Sequence, residues 1–99
     1  MNSKLRSEQM DCLFSAILNL ASEEECYAFF EDLCTVSELK AMAQRFEVAR
    51  LLQRGIPYTD IVNQTGASTA TISRVNRALT YGADGYKRVL EKWKDNDGL

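Results

Sequence analysis

The sequence predicts an all-α fold of six helices, with the fourth and fifth joined as a helix-turn-helix. Three observations carry that expectation. Apolar residues recur at steps of three and four, the repeat of a helix with one buried face. Ser22-Glu23-Glu24-Glu25 and Thr35-Val36-Ser37-Glu38 have the spacing in which a hydroxyl caps a helix start and a glutamate reaches back to it. The third observation is the segment 61–75, Ile-Val-Asn-Gln-Thr-Gly-Ala-Ser-Thr-Ala-Thr-Ile-Ser-Arg-Val. It sets a glycine corner between two short stretches whose apolar residues lie where crossed helices touch. No segment reads as a strand, and there is no internal repeat.

Residues 6–20 carry Met10, Leu13, Phe14, Ile17, Leu18 and Leu20 at helical spacing, which predicts the first helix. The second should run from Glu23 to about Leu33 and present Cys26, Tyr27, Phe29, Phe30 and Leu33. The third, over about 36–54, is the longest, with Leu39, Met42, Ala43, Phe46, Ala49, Arg50 and Leu52 in register and Gly55 closing it. Pro57 suits the start of a fourth helix over 57–65, because its missing N–H would lack a partner there anyway. A fifth helix covers about 69–79. Gly82-Ala83-Asp84-Gly85 reads as a loop, with Asp84 a candidate cap, ahead of a last helix over 85–94 through Tyr86, Val89, Leu90 and Trp93. Asp95-Asn96-Asp97-Gly98-Leu99 is expected to fray.

Ninety-nine residues, 45% apolar and 26% charged, with one Pro and five Gly, suit one folded domain over 1–99. No apolar run approaches a membrane span, and the N-terminus leads into an amphipathic pattern and not a signal peptide, so a cytoplasmic chain is expected. Cys12, Cys26 and Cys34 form no C-x-x-C pair and there is no His, so no metal site is expected and the three read as small buried apolar residues. The aromatic-rich faces of the first two helices are generous for so small a core. They suggest a homodimer whose shared core is built from residues 6–34, the alternative being that Phe14, Phe29 and Phe30 pack inside a monomer.

The net charge of −2 is unevenly spread. Residues 1–38 hold two basic and eight acidic side chains, a net of −6; residues 40–77 hold Lys40, Arg45, Arg50, Arg54, Arg74 and Arg77 against Glu47 and Asp60, a net of +4; residues 78–99 are neutral. A phosphate-facing surface needs only a local excess, so the segment around the helix-turn-helix, about 57–79, keeps double-stranded DNA in view as a partner.

Within that motif Ile61, Val62, Ile72 and Val75 are expected inside, Gly66 turns the chain, and Ala67 fits the crowded corner. Ser68 can cap the fifth helix, whose N-terminal N–H groups and dipole favour phosphate. Its outer face offers Thr69, Ala70, Ser73, Arg74 and Arg77, with Thr71 beside them. Short side chains allow entry into the major groove; Thr69 and Ala70 suit a thymine methyl or a base edge, and Arg74 suits a bidentate pair with guanine. Arg77 and Arg54 suit phosphate.

These residues also carry a family likeness. Thr35-Val36-Ser37-Glu38-Leu39, the helix end Leu51-Leu52-Gln53-Arg54-Gly55, and Thr65-Gly66-Ala67-Ser68-Thr69-Ala70-Thr71-Ile72-Ser73-Arg74 resemble the Trp repressor superfamily, within it the small YerC/YecD-type branch of helix-turn-helix regulators. The resemblance spans about residues 10–95. It implies an intertwined homodimer whose reading helices enter successive major grooves of a near-palindromic operator, the docking geometry for which Trp repressor is an established example. It also implies a vestigial effector pocket. The family's tryptophan-binding Thr and Arg types survive at Thr35, Arg45, Thr71 and Arg74. The Gly that leaves room for the ligand is Val75 here, and the Ser that helps bind its amino group is Ala78. An added isopropyl group overfills such a site and a missing hydroxyl leaves the ammonium unpaired, so tryptophan binding is not expected; a different small effector, or none, is.

An enzyme is poorly supported: with no His the usual base near neutral pH is missing, and the serines and carboxylates have ready roles as caps and solvated faces. The expected function is a sequence-specific DNA-binding transcriptional regulator, a repressor. The alternative is a protein-interaction module that keeps the helix-turn-helix scaffold without DNA and docks a basic partner through the acidic N-terminal half.

Overall fold

Serine caps set the first two helices. The computed structural model describes residues 3–97, and α1 (Glu8–Leu18) starts where the Ser7 side chain accepts from the Met10 N–H. In α2 (Glu23–Leu33) Ser22 accepts from the Glu25 N–H at 3.1 Å, while the Glu25 carboxylate accepts from the Ala21 N–H at 2.7 Å. The glutamate thus reaches one residue beyond the cap itself. α1 stops two residues short of the expected end, where the Asn19 side-chain amide donates to the Ser15 carbonyl at 3.0 Å. A short polar side chain of that kind competes with the helix for its own last carbonyls.

The chain divides after Val36 into two compact units. The first holds α1 and α2, and no residue of either helix is buried. Phe14, Leu18, Tyr27 and Leu33 are exposed, Leu18 to 85%. The expectation that the cysteines are buried fails here: Cys12 is exposed, and Cys26 and Cys34 are half-buried, because these helices have no interior within a single chain.

The second unit holds the core. It comprises α3 (Val36–Gln53) from Ser37 onward, α4 (Tyr58–Thr65), α5 (Thr69–Tyr81) and α6 (Gly85–Asp97). Val48, Ala49 and Leu51 of α3 pack with Ile61 of α4, Ala67 of the corner, Ile72 and Val75 of α5, and Leu90 of α6. Phe46, Leu52, Ile56, Val62, Tyr86 and Trp93 cover the edges of this cluster. Burying a Val, Leu or Ile is worth about 1.5–3 kcal/mol, so these few side chains dominate the unit's stability.

Gly55 ends α3 as expected, with φ +78°. The Gly55 N–H bonds Leu52 O at 3.0 Å and the Ile56 N–H bonds Leu51 O at 3.1 Å, a Schellman closure. Pro57 proves to be the cap of α4 and not its first helical residue: its ψ of 152° is extended, and its carbonyl accepts from the Ile61 N–H. α5 runs two residues past the expected 79, and α6 continues through Asp95, Asn96 and Asp97, which were expected to fray. The other two residues of that expectation, Gly98 and Leu99, lie outside the described residues, as do Met1 and Asn2. Among the described residues there is no strand, and no helix is long and apolar enough to cross a membrane.

Candidate nucleic-acid interface

Three residues, Gly66-Ala67-Ser68, connect α4 to α5. Gly66 has φ +73°, a left-handed conformation that an L side chain adopts only at a cost, and its N–H closes α4 onto the Val62 carbonyl. Thr65 ties the corner from inside. Its hydroxyl donates to the Ile61 carbonyl at 2.7 Å and accepts from the Ala67 N–H at 3.1 Å. Ala67 is buried, as its size allows.

Ser68 caps α5. Its Oγ accepts from the Thr71 N–H at 3.1 Å and meets Thr71 Oγ1 at the same distance. Beyond the cap, α5 has two unlike faces. Ile72 and Val75 are buried, and Thr71, Asn76 and Leu79 are half-buried beside them. Thr69, Ala70, Ser73, Arg74 and Arg77 are exposed on the other face, at the helical repeat. The face offers two small apolar or hydroxyl groups near the N-terminal end and two guanidinium groups behind them. Ser68 is exposed beside it.

Arg54, the remaining expected phosphate contact, is exposed where α3 ends. A glutamate sits near this charge. Arg50 donates to Glu47 through Nε at 2.9 Å and through its terminal nitrogen at 2.7 Å. That pairing holds the Glu47 carboxyl below its usual value; burial opposes the effect, and the charges of Arg50 and Arg54 add to it. Arg50 also lies over the Trp93 ring, 5.9 Å from its centroid, and Phe46 meets Trp93 edge-on at 5.6 Å. This group joins α6 to α3. In the sequence it is marked by the i, i+3 spacing of Glu47 and Arg50 on one helix, while the contact with Trp93 leaves no local spacing.

The residues of the expected effector pocket are spread over different environments. Thr35 is exposed in the first unit. In the second, Arg45 and Thr71 are half-buried, Arg74 and Ala78 are exposed, and Val75 is buried among the core residues. The isopropyl group of Val75 therefore packs into the protein's own interior.

Comparison with known proteins decides the family, because the Trp repressor protein family model matches residues 8–94. The chain belongs to the Trp repressor family. It is 53% identical over 94 residues to the uncharacterised Bacillus subtilis protein YerC, covering 95% of this chain and 90% of YerC. Two solved structures share the family fold. A TrpR-like protein from Eubacterium eligens superposes with a TM-score of 0.89 at 54% identity, over 93% of this chain and 95% of that one. A proposed Trp repressor from Staphylococcus aureus gives 0.88 at 50% identity, over 91% and 90%. The six-helix all-α architecture of this family member thus matches that of its Trp-repressor-like relatives.

Proposed function

We propose that this Trp repressor family member is a sequence-specific double-stranded DNA-binding transcriptional regulator, acting as a repressor, that reads a near-palindromic site through α5. The observation that carries the reading is the two-sided character of α5. Ile72 and Val75 anchor one side in the core, while Thr69, Ala70, Ser73, Arg74 and Arg77 stand in solvent on the other. A helix held rigidly on one face, with short and bidentate donors on the other, suits the major groove. Ser68 and Thr71 would orient the helix start against phosphate, and Arg54 and Arg77 would bind the backbone.

The functional form is a homodimer paired through α1 and α2, whose exposed Phe14, Leu18, Tyr27 and Leu33 form apolar faces with no cover in one chain. Two copies bring two reading helices to one duplex. The regulator works without tryptophan, since Val75 occupies core space and Ala78 has no hydroxyl to offer.

Selection from a random duplex library tests this directly. The expected result is an enriched site with two-fold symmetry, bound with an affinity that falls steeply with salt. A second reading, a protein-interaction module, draws on the net charge of −6 in residues 1–38. Absence of duplex binding at low salt would favour it.

A further inference from the structure

We infer that Gln44 is a positioning residue for DNA reading: its side-chain amide, projecting from α3, holds the corner between α4 and α5 and so sets where the reading helix begins. The inference rests on the proposed role of α5. It concerns a residue that makes no part of the exposed face.

Gln44 Nε2 donates to the Thr65 carbonyl at 3.2 Å, a bond between positions 21 residues apart. Thr65 is the last residue of α4, so its carbonyl is one of the four that a helix end leaves without an intrahelical partner. Both Gln44 and Thr65 are half-buried, where water replaces a lost bond poorly.

The other polar contacts at this corner are local. Thr65 to Ile61, Ala67 to Thr65 and Thr71 to Ser68 all close within four residues. They give the corner its shape but do not fix its place against α3. The apolar contacts of Ile61, Ala67, Ile72 and Val75 with Val48, Ala49 and Leu51 do hold it there. Apolar packing is non-directional, though, and resists separation more than sliding. A hydrogen bond adds direction at one point. That point is one peptide from Gly66 and four residues from Thr69, where α5 begins. A bidentate arginine–guanine pair depends on alignment, so a small shift at the corner costs base reading before it costs phosphate attraction.

Gln44→Met keeps the length of the side chain and removes the donor. The measurement is affinity for the wild-type-selected site and for a random duplex, taken where circular dichroism shows both chains fully folded. Operator affinity should fall by about two- to tenfold, the net worth of one hydrogen bond. Random-duplex affinity and the salt slope should stay at wild-type values, because the phosphates contacted are the same. Gln44→Glu, an acceptor facing a carbonyl at neutral pH, should lose at least as much. In the free protein, amide exchange at Gly66 and Ala67 should quicken in the Gln44→Met chain. A variant with a lower melting temperature but wild-type operator-to-random ratio would overturn the assignment, as would unchanged exchange at the corner. If the wild-type chain binds no duplex at low salt, the DNA reading itself is overturned and this assignment with it.

Discussion

Arg74 and Val75 are adjacent in sequence and opposite in environment, one in solvent and one in the core. Substitutions along α5 should therefore separate reading from folding. Ile72→Ala, at a site with no solvent exposure, should cost about 2–5 kcal/mol in urea unfolding, the range for truncating a core aliphatic side chain. Arg74→Ala should leave stability within about 0.5 kcal/mol, as exposed positions do. By fluorescence anisotropy it should lose about 1–3 kcal/mol of discrimination at one or two base pairs if the pair is bidentate. Equal losses on specific and random duplex would count against base contact. Two glycines make a further contrast. A Cβ at Gly66 meets nothing nearby, so Gly66→Ala should cost only the left-handed backbone penalty, about 1–2 kcal/mol. A Cβ at Gly82, whose φ is ordinary, would overlap the Ala78 carbonyl oxygen, so Gly82→Ala requires the end of α5 to move.

The start of α2 was legible because a serine caps it, whereas the end of α1, set by Asn19, was not. α2 lies between the expected Glu23 and Leu33, because Ser22 and Glu25 are both sequence signals and structural bonds. α5 and α6 run longer than the spacing of apolar residues implies, because periodicity reports a buried face and not the point at which the backbone stops being helical. Gly55 and Gly66 could be read from the sequence because left-handed turns favour their residue type. Gln44–Thr65 and Arg50–Trp93 could not, since partners joined across helices leave no local spacing. The ion pair of Arg50 with Glu47, next to that ring, makes a prediction about acid. Arg50 lowers the Glu47 carboxyl below its usual value, so the pair contributes fully above the ordinary carboxylate range and is lost as pH falls through the depressed value. Wild-type urea midpoints, followed by the fluorescence of the single Trp93, should therefore decline more steeply in that acidic window than those of Glu47→Gln.

For the whole molecule, the family and its all-α architecture were legible because the helix-turn-helix constrains many positions together. The first unit was harder. With no metal-ligand pattern its cysteines read as small buried residues, yet a single chain buries none of them, because what covers an amphipathic helix is not written in that helix. The proposed dimer supplies a check. Leu18→Glu, at an apolar side chain exposed to 85%, should shift sedimentation from dimer toward monomer and lower operator affinity, while random mixing of wild-type copies should not. Tryptophan titrated by calorimetry should release no heat; a one-per-subunit isotherm would overturn the argument from Val75.

The lack of any buried residue in α1 and α2 has a bearing on how the protein matures. Helices of 11 residues are marginal alone in water, so if the proposed dimer forms, this third of the chain gains order from the second copy. Its melting should then shift upward as the solution is concentrated, and a freshly synthesised copy at low abundance would offer proteases this end first.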